Sequence, residues 1–275
     1  MAINRIIYVR KTDGREERFE ARKVFRTCLR AGAKKEEAKK IVSEVIRRIY
    51  DGIPTREILK MVLKKLEGIS PSIANIYNLK EAMISLGPSG FVFEEFMTQL
   101  LLDYDFKTKH HIFISGHCVK HEIDIIADER SGKKRVFMIE CKYHNISGIY
   151  CGIKEALYTW ARFEDCQNFF DAAWLITNTK FSEEVIRYAQ CKNMRLLGWR
   201  HGEEACLENL IEEQKFYPIT ILRNLDESTR DKLFEKNIIL CKDLIKYDFY
   251  SLSRLCGIKK DKAENLIKQA NDILI

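Results

Sequence analysis

The chain has 275 residues, a formal net charge of +7 and 46% hydrophobic residues, enough for two or three ordinary cores. No apolar run approaches the roughly 20 residues of a membrane helix, and residues 1–15 lack the apolar segment and small-residue cleavage site of a signal peptide. A cytoplasmic protein with no membrane partner is expected. Nine cysteines lie singly without a C-x-x-C pair, which argues against a disulfide framework and a zinc knuckle. Lys and Arg predominate in residues 1–87 and 215–275, Asp and Glu in 88–214. An acidic middle between basic flanks suits a protein that holds a cation and a polyanion together, and solvated helix faces give a similar balance.

Residues 3–10 alternate as a strand, Thr12-Asp13-Gly14 makes a hairpin turn, and 16–20 return as a second strand. Val24, Cys28 and Leu29, then Ala38, Ile41, Val42, Val45, Ile46 and Ile49, recur at helical spacing with basic residues opposite. Asp51-Gly52-Ile53-Pro54 stops that run, and Thr55 is expected to cap a helix built on Ile58, Leu59, Val62, Leu63 and Leu66.

Val9-Arg10-Lys11-Thr12-Asp13-Gly14, Glu17, Phe19, Lys23 and Tyr50-Asp51-Gly52-Ile53-Pro54-Thr55 together resemble an ATP-cone domain, a regulatory module for ATP or dATP, over about residues 3–86. The resemblance implies that Lys11 and Lys23 meet phosphates, that Val9 and Glu17 line the base and sugar site, and that Thr55 adds a polar contact. Thr12, counted with that site, stands where the family usually has a second basic residue; Tyr77 and Lys80 stand where its last helix closes on the nucleotide. Lysines around a turn attract a triphosphate on chemical grounds as well. A basic helical domain without a ligand is the alternative.

Gly87-Pro88-Ser89-Gly90 breaks the chain, and a helix follows with Phe93, Phe96, Met97, Leu100 and Leu101 on its apolar stripe and Glu94 beside it. A strand at 106–115, a turn at Gly116-His117-Cys118, and two strands around Ser131-Gly132 come next. In the second of these, Val136, Met138, Glu140 and Lys142 share one face and Phe137, Ile139, Cys141 and Tyr143 the other. Burying a carboxylate and an ammonium on an apolar strand costs free energy, which a metal ion and an anionic substrate would offset. Asp124, set among Ile123, Ile125 and Ile126, followed by Glu140-Cys141-Lys142, is the arrangement a Mg²⁺-dependent phosphodiesterase site needs. A surface hairpin with charged tips is the plain alternative. A helix at 149–164, an apolar strand at 172–177, a helix capped by Ser182 and a strand at 195–199 complete a mixed α/β sheet.

That order, with Gly90-Phe91-Val92-Phe93-Glu94, Glu122-Ile123-Asp124, Glu140-Cys141-Lys142 and Thr177-Asn178-Thr179-Lys180-Phe181-Ser182, resembles the Mrr-like branch of the PD-(D/E)XK nucleases. The resemblance implies a restriction-endonuclease-like fold that cleaves DNA with Mg²⁺ (or Mn²⁺). Glu94, Asp124, Glu140 and Lys142 match its catalytic positions, with Asp124, Glu140 and the Cys141 carbonyl as metal ligands. His121-Glu122 departs from the glycine-rich approach of many relatives, leaving His121 as a phosphate or metal contact or as a structural hydrogen-bonding group.

Residues 215–275 form a helical unit whose Leu255-Cys256-Gly257-Ile258-Lys259-Lys260 resembles a helix-hairpin-helix or SAM-like domain. In the DNA-binding version Gly257, Lys259 and Lys260 would meet phosphate; Asn237-Ile238 lacks the glycine of a second hairpin, so one turn is expected. The expected fold class is therefore multidomain α+β: a small β-hairpin plus helices over 1–87, a mixed-sheet core over 88–214 and an all-α unit over 215–275. The expected function is a Mg²⁺-dependent DNA endonuclease, a homo-oligomer (dimer), with ATP or dATP as effector. With no Walker motif, hydrolysis-driven movement is not expected. The alternatives are a non-catalytic nucleotide-sensing regulator that binds DNA or protein on a nuclease fold, and a repair or RNA-directed nuclease.

Overall fold

A computed structural model describes residues 6–203 and 205–275. The N-terminal hairpin pairs β1 (Tyr8–Arg10) with β2 (Glu16–Arg18), and its turn closes where the Lys11 N–H donates to the Arg15 carbonyl at 2.8 Å. Residues 3–5 of the predicted first strand lie outside the described residues. After α1 (Ala21–Arg30) and α2 (Lys35–Arg48), the Asp-Gly-Ile-Pro segment does more than stop a helix. Gly52 turns the backbone at a φ of 80°, the Tyr8 N–H donates to the Asp51 carboxylate at 2.8 Å, and β3 (Ile53–Pro54) joins β1 in parallel. A two-residue strand carries no alternation, so no period-two pattern announces it.

The next helix, α3 (Thr55–Glu67), corrects the expected cap: Pro54 is the N-cap and Thr55 the first helical residue, with no capping hydrogen bond from its side chain. The helix can start there because Pro54 has a locked φ, here −62°, and no N–H to satisfy. α4 (Pro71–Tyr77) and α5 (Leu79–Ile84) follow. Val9, Cys28, Ile41, Ile53, Val62 and Leu66 form the core of this N-terminal unit, whereas Leu79 and Met83 of α5 already belong to the core beneath the next helix.

The larger unit runs α6 (Phe91–Asp103), β4 (Phe106–Ser115), β5 (Lys120–Glu129), β6 (Val136–Lys142), β7 (Tyr150–Cys151), α7 (Ile153–Asp165), β8 (Ala172–Thr177), β9 (Lys180–Phe181), α8 (Glu183–Lys192), β10 (Arg195–Leu197) and α9 (Leu207–Glu213). Five strands form a mixed sheet in the order β10-β8-β6-β5-β4: β4, β5 and β6 are antiparallel, whereas helical crossovers through α7 and α8 make β6, β8 and β10 parallel. Phe93 and Phe96 of α6 pack with Ile125, Phe137 and Ile139 on one face, and Ala156 of α7 and Val185 of α8 pack with Ala173 and Leu175 on the other. Ser182 caps α8 as expected, its hydroxyl accepting from the Val185 N–H at 3.4 Å. The helix expected from residue 149 begins later, because Tyr150 and Cys151 pair in parallel with Lys180 and Phe181 as a separate two-stranded sheet.

The C-terminal helices α10 (Glu227–Phe234), α11 (Cys241–Leu244), α12 (Phe249–Cys256) and α13 (Lys260–Leu274) share the α6 core through Leu233, Leu252 and Leu266. Phe216 meets Phe96 edge-to-face at 5.3 Å between ring centroids. Two equivalent turns replace the single one expected. Asn237 has a φ of 57° and Gly257 one of 59°, and the matching N–H bonds run from Ile238 to the Leu233 carbonyl at 2.9 Å and from Ile258 to the Ser253 carbonyl at 3.1 Å. Asparagine tolerates the left-handed region, so it serves here in glycine's place.

The first and second units are clamped at Glu208, whose buried carboxylate accepts from Arg30 of α1 at 2.8 and 2.6 Å and from Arg200 at 2.8 and 3.2 Å. Both guanidinium groups keep solvent contact, which limits their contribution. Glu208→Ala is expected to lower unfolding stability by about 1–2 kcal/mol in urea titrations.

Candidate active site

The strand registers build the site. Constant offsets place His111 opposite Asp124 between β4 and β5, and Asp124 opposite Glu140 between β5 and β6. At this row the sheet stops being regular. His111 has a φ of 51° and interrupts the β4–β5 ladder, and the β5–β6 ladder ends at Ile125 and Ile139. Ile125 packs under α6 while Ile123 packs with Met138 and Cys166 on the opposite face, so the alternation of β5 breaks at Asp124 itself. In place of a strand partner, the Cys141 N–H donates to the Asp124 carboxylate at 2.8 Å, which fixes its orientation. The Cys141 thiol points into the α6 core and burial pushes its pKa well up, leaving the backbone to face the site.

Glu94 enters from the first turns of α6. A Cβ on Gly90 would stand 3.1 Å from the Glu94 carboxylate, so the absence of a side chain there makes room for it. Burial first, and then the Asp124 charge, push Glu94 up to about 7. The same two causes raise Glu140, against the pull of Arg162, whose guanidinium pairs directly with it. Burial likewise raises Asp124, against the Cys141 hydrogen bond and Arg162. Burial and mutual repulsion thus disfavour ionisation of all three carboxylates at once. His111 places its Nε2 3.5 Å from Glu94 and its Nδ1 3.5 Å from Glu122, and its ring stacks on Phe91 at 5.0 Å. Lys142 stands at the rim, half exposed, with its ammonium 3.8 Å from Glu155.

Glu94, Asp124, Glu140, Cys141 and Lys142 therefore meet in one place. His121 does not join them: its Nε2 is 2.7 Å from Asp165, which also accepts from the Cys118 and Val119 N–H groups at 2.7 and 3.2 Å and so braces the β4–β5 turn. Sequence reasoning missed Arg162, Glu155 and His111, and singled out Asn178 only as part of the motif at 177–182. Arg162 and Glu155 of α7 hold Glu140 and Lys142, and only their spacing of seven on one helix hinted at a shared face. His111 carried no signal. Asn178 is fully buried, accepts from the His144 N–H at 2.9 Å and donates to the His144 and Met83 carbonyls at 2.8 and 3.2 Å, which fixes the loop after Lys142.

A second cleft, about 210 Å³, lies between the N-terminal unit and the sheet unit. Lys11, Thr12, Glu17 and Thr55 line it, and Lys11 pairs with Glu17 at 3.0 Å. Val9 and Lys23 do not line it: the Val9 side chain is in the core of the N-terminal unit, and Lys23 is outside, 2.7 Å from Glu20. Lys80 lines the cleft, whereas Tyr77 packs against the N-terminal core. Gly257, Lys259 and Lys260 are exposed at the α12–α13 turn, where Lys232 donates to the Gly257 carbonyl at 3.2 Å.

Family models match residues 7–78 as an ATP cone domain, 87–201 as a restriction endonuclease and 217–274 as AF1548-like, C-terminal. A protein of Archaeoglobus fulgidus described as uncharacterized is 41% identical over 179 residues, which is 65% of this chain and 99% of the relative. A second uncharacterized protein of that organism is 52% identical over 42 residues, 15% of this chain and 89% of its own. The crystal structure of a protein of unknown function, AF1548, superposes with a TM-score of 0.58 at 37% identity, covering 68% of this chain and 98% of the other. Among the described residues no helix is long and apolar enough to cross a membrane. The chain belongs to the AF1548-like family and joins an ATP cone domain to a restriction endonuclease domain.

Proposed function

We propose that the protein is a Mg²⁺-dependent endodeoxyribonuclease of the PD-(D/E)XK type, with ATP or dATP bound by the cone as effector. The observation that carries this is the convergence of Glu94, Asp124 and Glu140, each raised in pKa, with Lys142 at the rim. Their oxygens and the Cys141 carbonyl are hard donors that suit Mg²⁺ or Mn²⁺. Bound there, the ion would polarise the scissile phosphate and lower the pKa of a coordinated water. Asp124, oriented by the Cys141 N–H, and Glu140, oriented by Arg162, supply fixed negative charge; Lys142 orients the attacking water and stabilises charge developing on the phosphate oxygens. A supercoiled plasmid incubated with Mg²⁺, or with EDTA, tests the activity: nicking by the first alone is expected, and no cleavage of duplex, branched or single-stranded DNA would refute it. Cleavage of RNA alone would assign the substrate differently.

The active species is expected to be a homodimer, which would bring two such sites to one duplex, and light scattering checks this. The exposed α12–α13 turn presents Lys259 and Lys260, which would meet the DNA backbone. Replacing Lys259 and Lys260 with alanine is expected to weaken binding by lowering the slope of log K against log salt by about 1–2, measured by fluorescence anisotropy. One observation favours the alternative of a non-catalytic nucleotide-sensing regulator: Arg162 already neutralises Glu140. Nucleotide and DNA binding without cleavage of any substrate would select it.

A further inference from the structure

The cleft that takes Lys11, Thr12, Glu17 and Thr55 from the cone is only half built by the cone. Its other wall is the restriction endonuclease domain, through the segment at 147–150 and Lys180. The approach is close: a Cβ on Gly148 would stand 3.3 Å from both the Thr12 Cβ and the Asp13 nitrogen, and Gly148 has a φ of 94°, so the loop reaches the cone turn only without a side chain. Arg15 of the cone donates to the Tyr150 hydroxyl at 2.8 Å and lies over its ring at 4.8 Å, and Ser147 donates to Glu81 at 3.1 Å. Lys180 stands 6.0 Å from the same Tyr150 ring.

The charges converge across the boundary. Lys11, Arg56, Lys80 and Lys180 face one cleft from four elements, and burial together with the neighbouring Lys180 pushes the Lys80 ammonium down. Asp13, Glu17 and Glu81 line the cleft as well, against Arg15 and these four cations, so the lining keeps a positive excess that suits a polyphosphate. Arg15 holds the Tyr150 hydroxyl and one face of its ring, so Tyr150 ties this wall of the cleft to the cone.

The same wall leads straight to the catalytic groups. Tyr150 and Cys151 form β7, which pairs with Lys180 and Phe181, and after Gly152 the chain becomes α7. α7 supplies Glu155 to Lys142 and Arg162 to Glu140. A shift of β7 against the cone therefore moves the helix that holds both catalytic residues.

We propose that the effector site is shared, with Lys180 of the endonuclease domain gripping the nucleoside triphosphate opposite Lys11 of the cone and Tyr150 tying the two walls together through Arg15, so that occupancy is transmitted through β7 and α7 to Glu140 and Lys142. The proposal rests on the reading of the cone as a nucleotide site. A ligand acts here by differential affinity for two arrangements of α7, and the shared grip supplies it.

Titration calorimetry with ATP and with dATP on the full chain, for the wild type, Lys11→Ala, Lys180→Ala and Lys180→Arg, separates the two claims. Lys180→Ala and Lys11→Ala are each expected to weaken binding about tenfold or more, as loss of a charge-assisted phosphate contact does, with Lys180→Arg retaining most of it. Lys180 is exposed, and unchanged circular dichroism verifies the fold. Hydrogen exchange of the wild type is expected to show altered protection across 150–165 with nucleotide. If Lys11→Ala weakens binding and Lys180→Ala binds like the wild type, the cone reading stands and the shared site is overturned. A wild type that binds neither nucleotide overturns both. Exchange in 150–165 unaffected by saturating nucleotide overturns the transmission.

Discussion

Asp124→Asn, Glu140→Gln and Lys142→Ala are each expected to reduce Mg²⁺-dependent DNA cleavage by about 10³-fold or more while leaving the fold intact. The replacements are chosen from the contacts. Asparagine at 124 keeps an oxygen to accept from the Cys141 N–H, so the row across β4, β5 and β6 stays in register while the charge is lost. Glutamine at 140 can still accept from Arg162. Lys142 is 42% exposed and its ion pair with Glu155, at 3.8 Å, is loose, so truncation removes little packing. Single-turnover nicking with matched circular dichroism is the measurement. Wild-type rates from Asp124→Asn and Lys142→Ala would remove the catalytic assignment. Arg162→Ala should act less directly, since Arg162 positions Glu140.

The second large effect is on stability. Glu94 rises from an ordinary 4.5 to about 7 in the folded protein, and Glu140 moves the same way. A carboxyl with a raised folded pKa binds more protons folded than unfolded throughout that window. Stability in the absence of metal therefore falls as pH rises from about 4.5 through 7, and levels off once both groups are ionised. A carboxyl that titrates one pH unit higher folded than unfolded changes stability by about 1.4 kcal/mol across its window. Both groups keep some contact with solvent, so a loss on the order of 1–3 kcal/mol is expected between pH 5 and 8. The charges responsible face one another: Glu94, Asp124, Glu140 and Glu122, with His111 and Arg162 opposing. A cation at the site offsets the repulsion, and Mg²⁺ at 100 times its Kd adds about 2.7 kcal/mol. Asp124→Asn is expected to lessen the pH dependence, because burial still raises both groups, and to abolish the Mg²⁺ stabilisation. Urea titrations at pH 5 and 7.5, with and without Mg²⁺, read both, and stability that rises across the window or ignores Mg²⁺ contradicts the arrangement.

The long elements were legible because their periodicity is strong. The strand at 106–115, the strand at 172–177 and the Ser182 cap stand where the residue pattern put them. The short elements are not: β3 and β7 have two residues each, too few to show alternation, and a helix period also fits Tyr150 and Cys151. Asn237 reads as an ordinary polar residue until its φ of 57° shows it doing what Gly257 does at the other turn.

What the sequence by itself singled out is the set Asp124, Glu140 and Lys142, because Glu140 and Lys142 violate the apolar pattern of their strand and Asp124 violates that of the strand before it. Charge on a buried strand carries a free-energy cost, and that cost is visible in one dimension. Only the tertiary structure decided which groups hold that set in place. Arg162, Glu155, Asn178 and His111 reach it through strand register and helix packing, which bring together residues far apart in the chain. The same is true of Lys180 and Tyr150 beside the cone: nothing local connects residue 11 to residue 180, and only the close approach of Gly148 to the Thr12 turn puts them in one cleft.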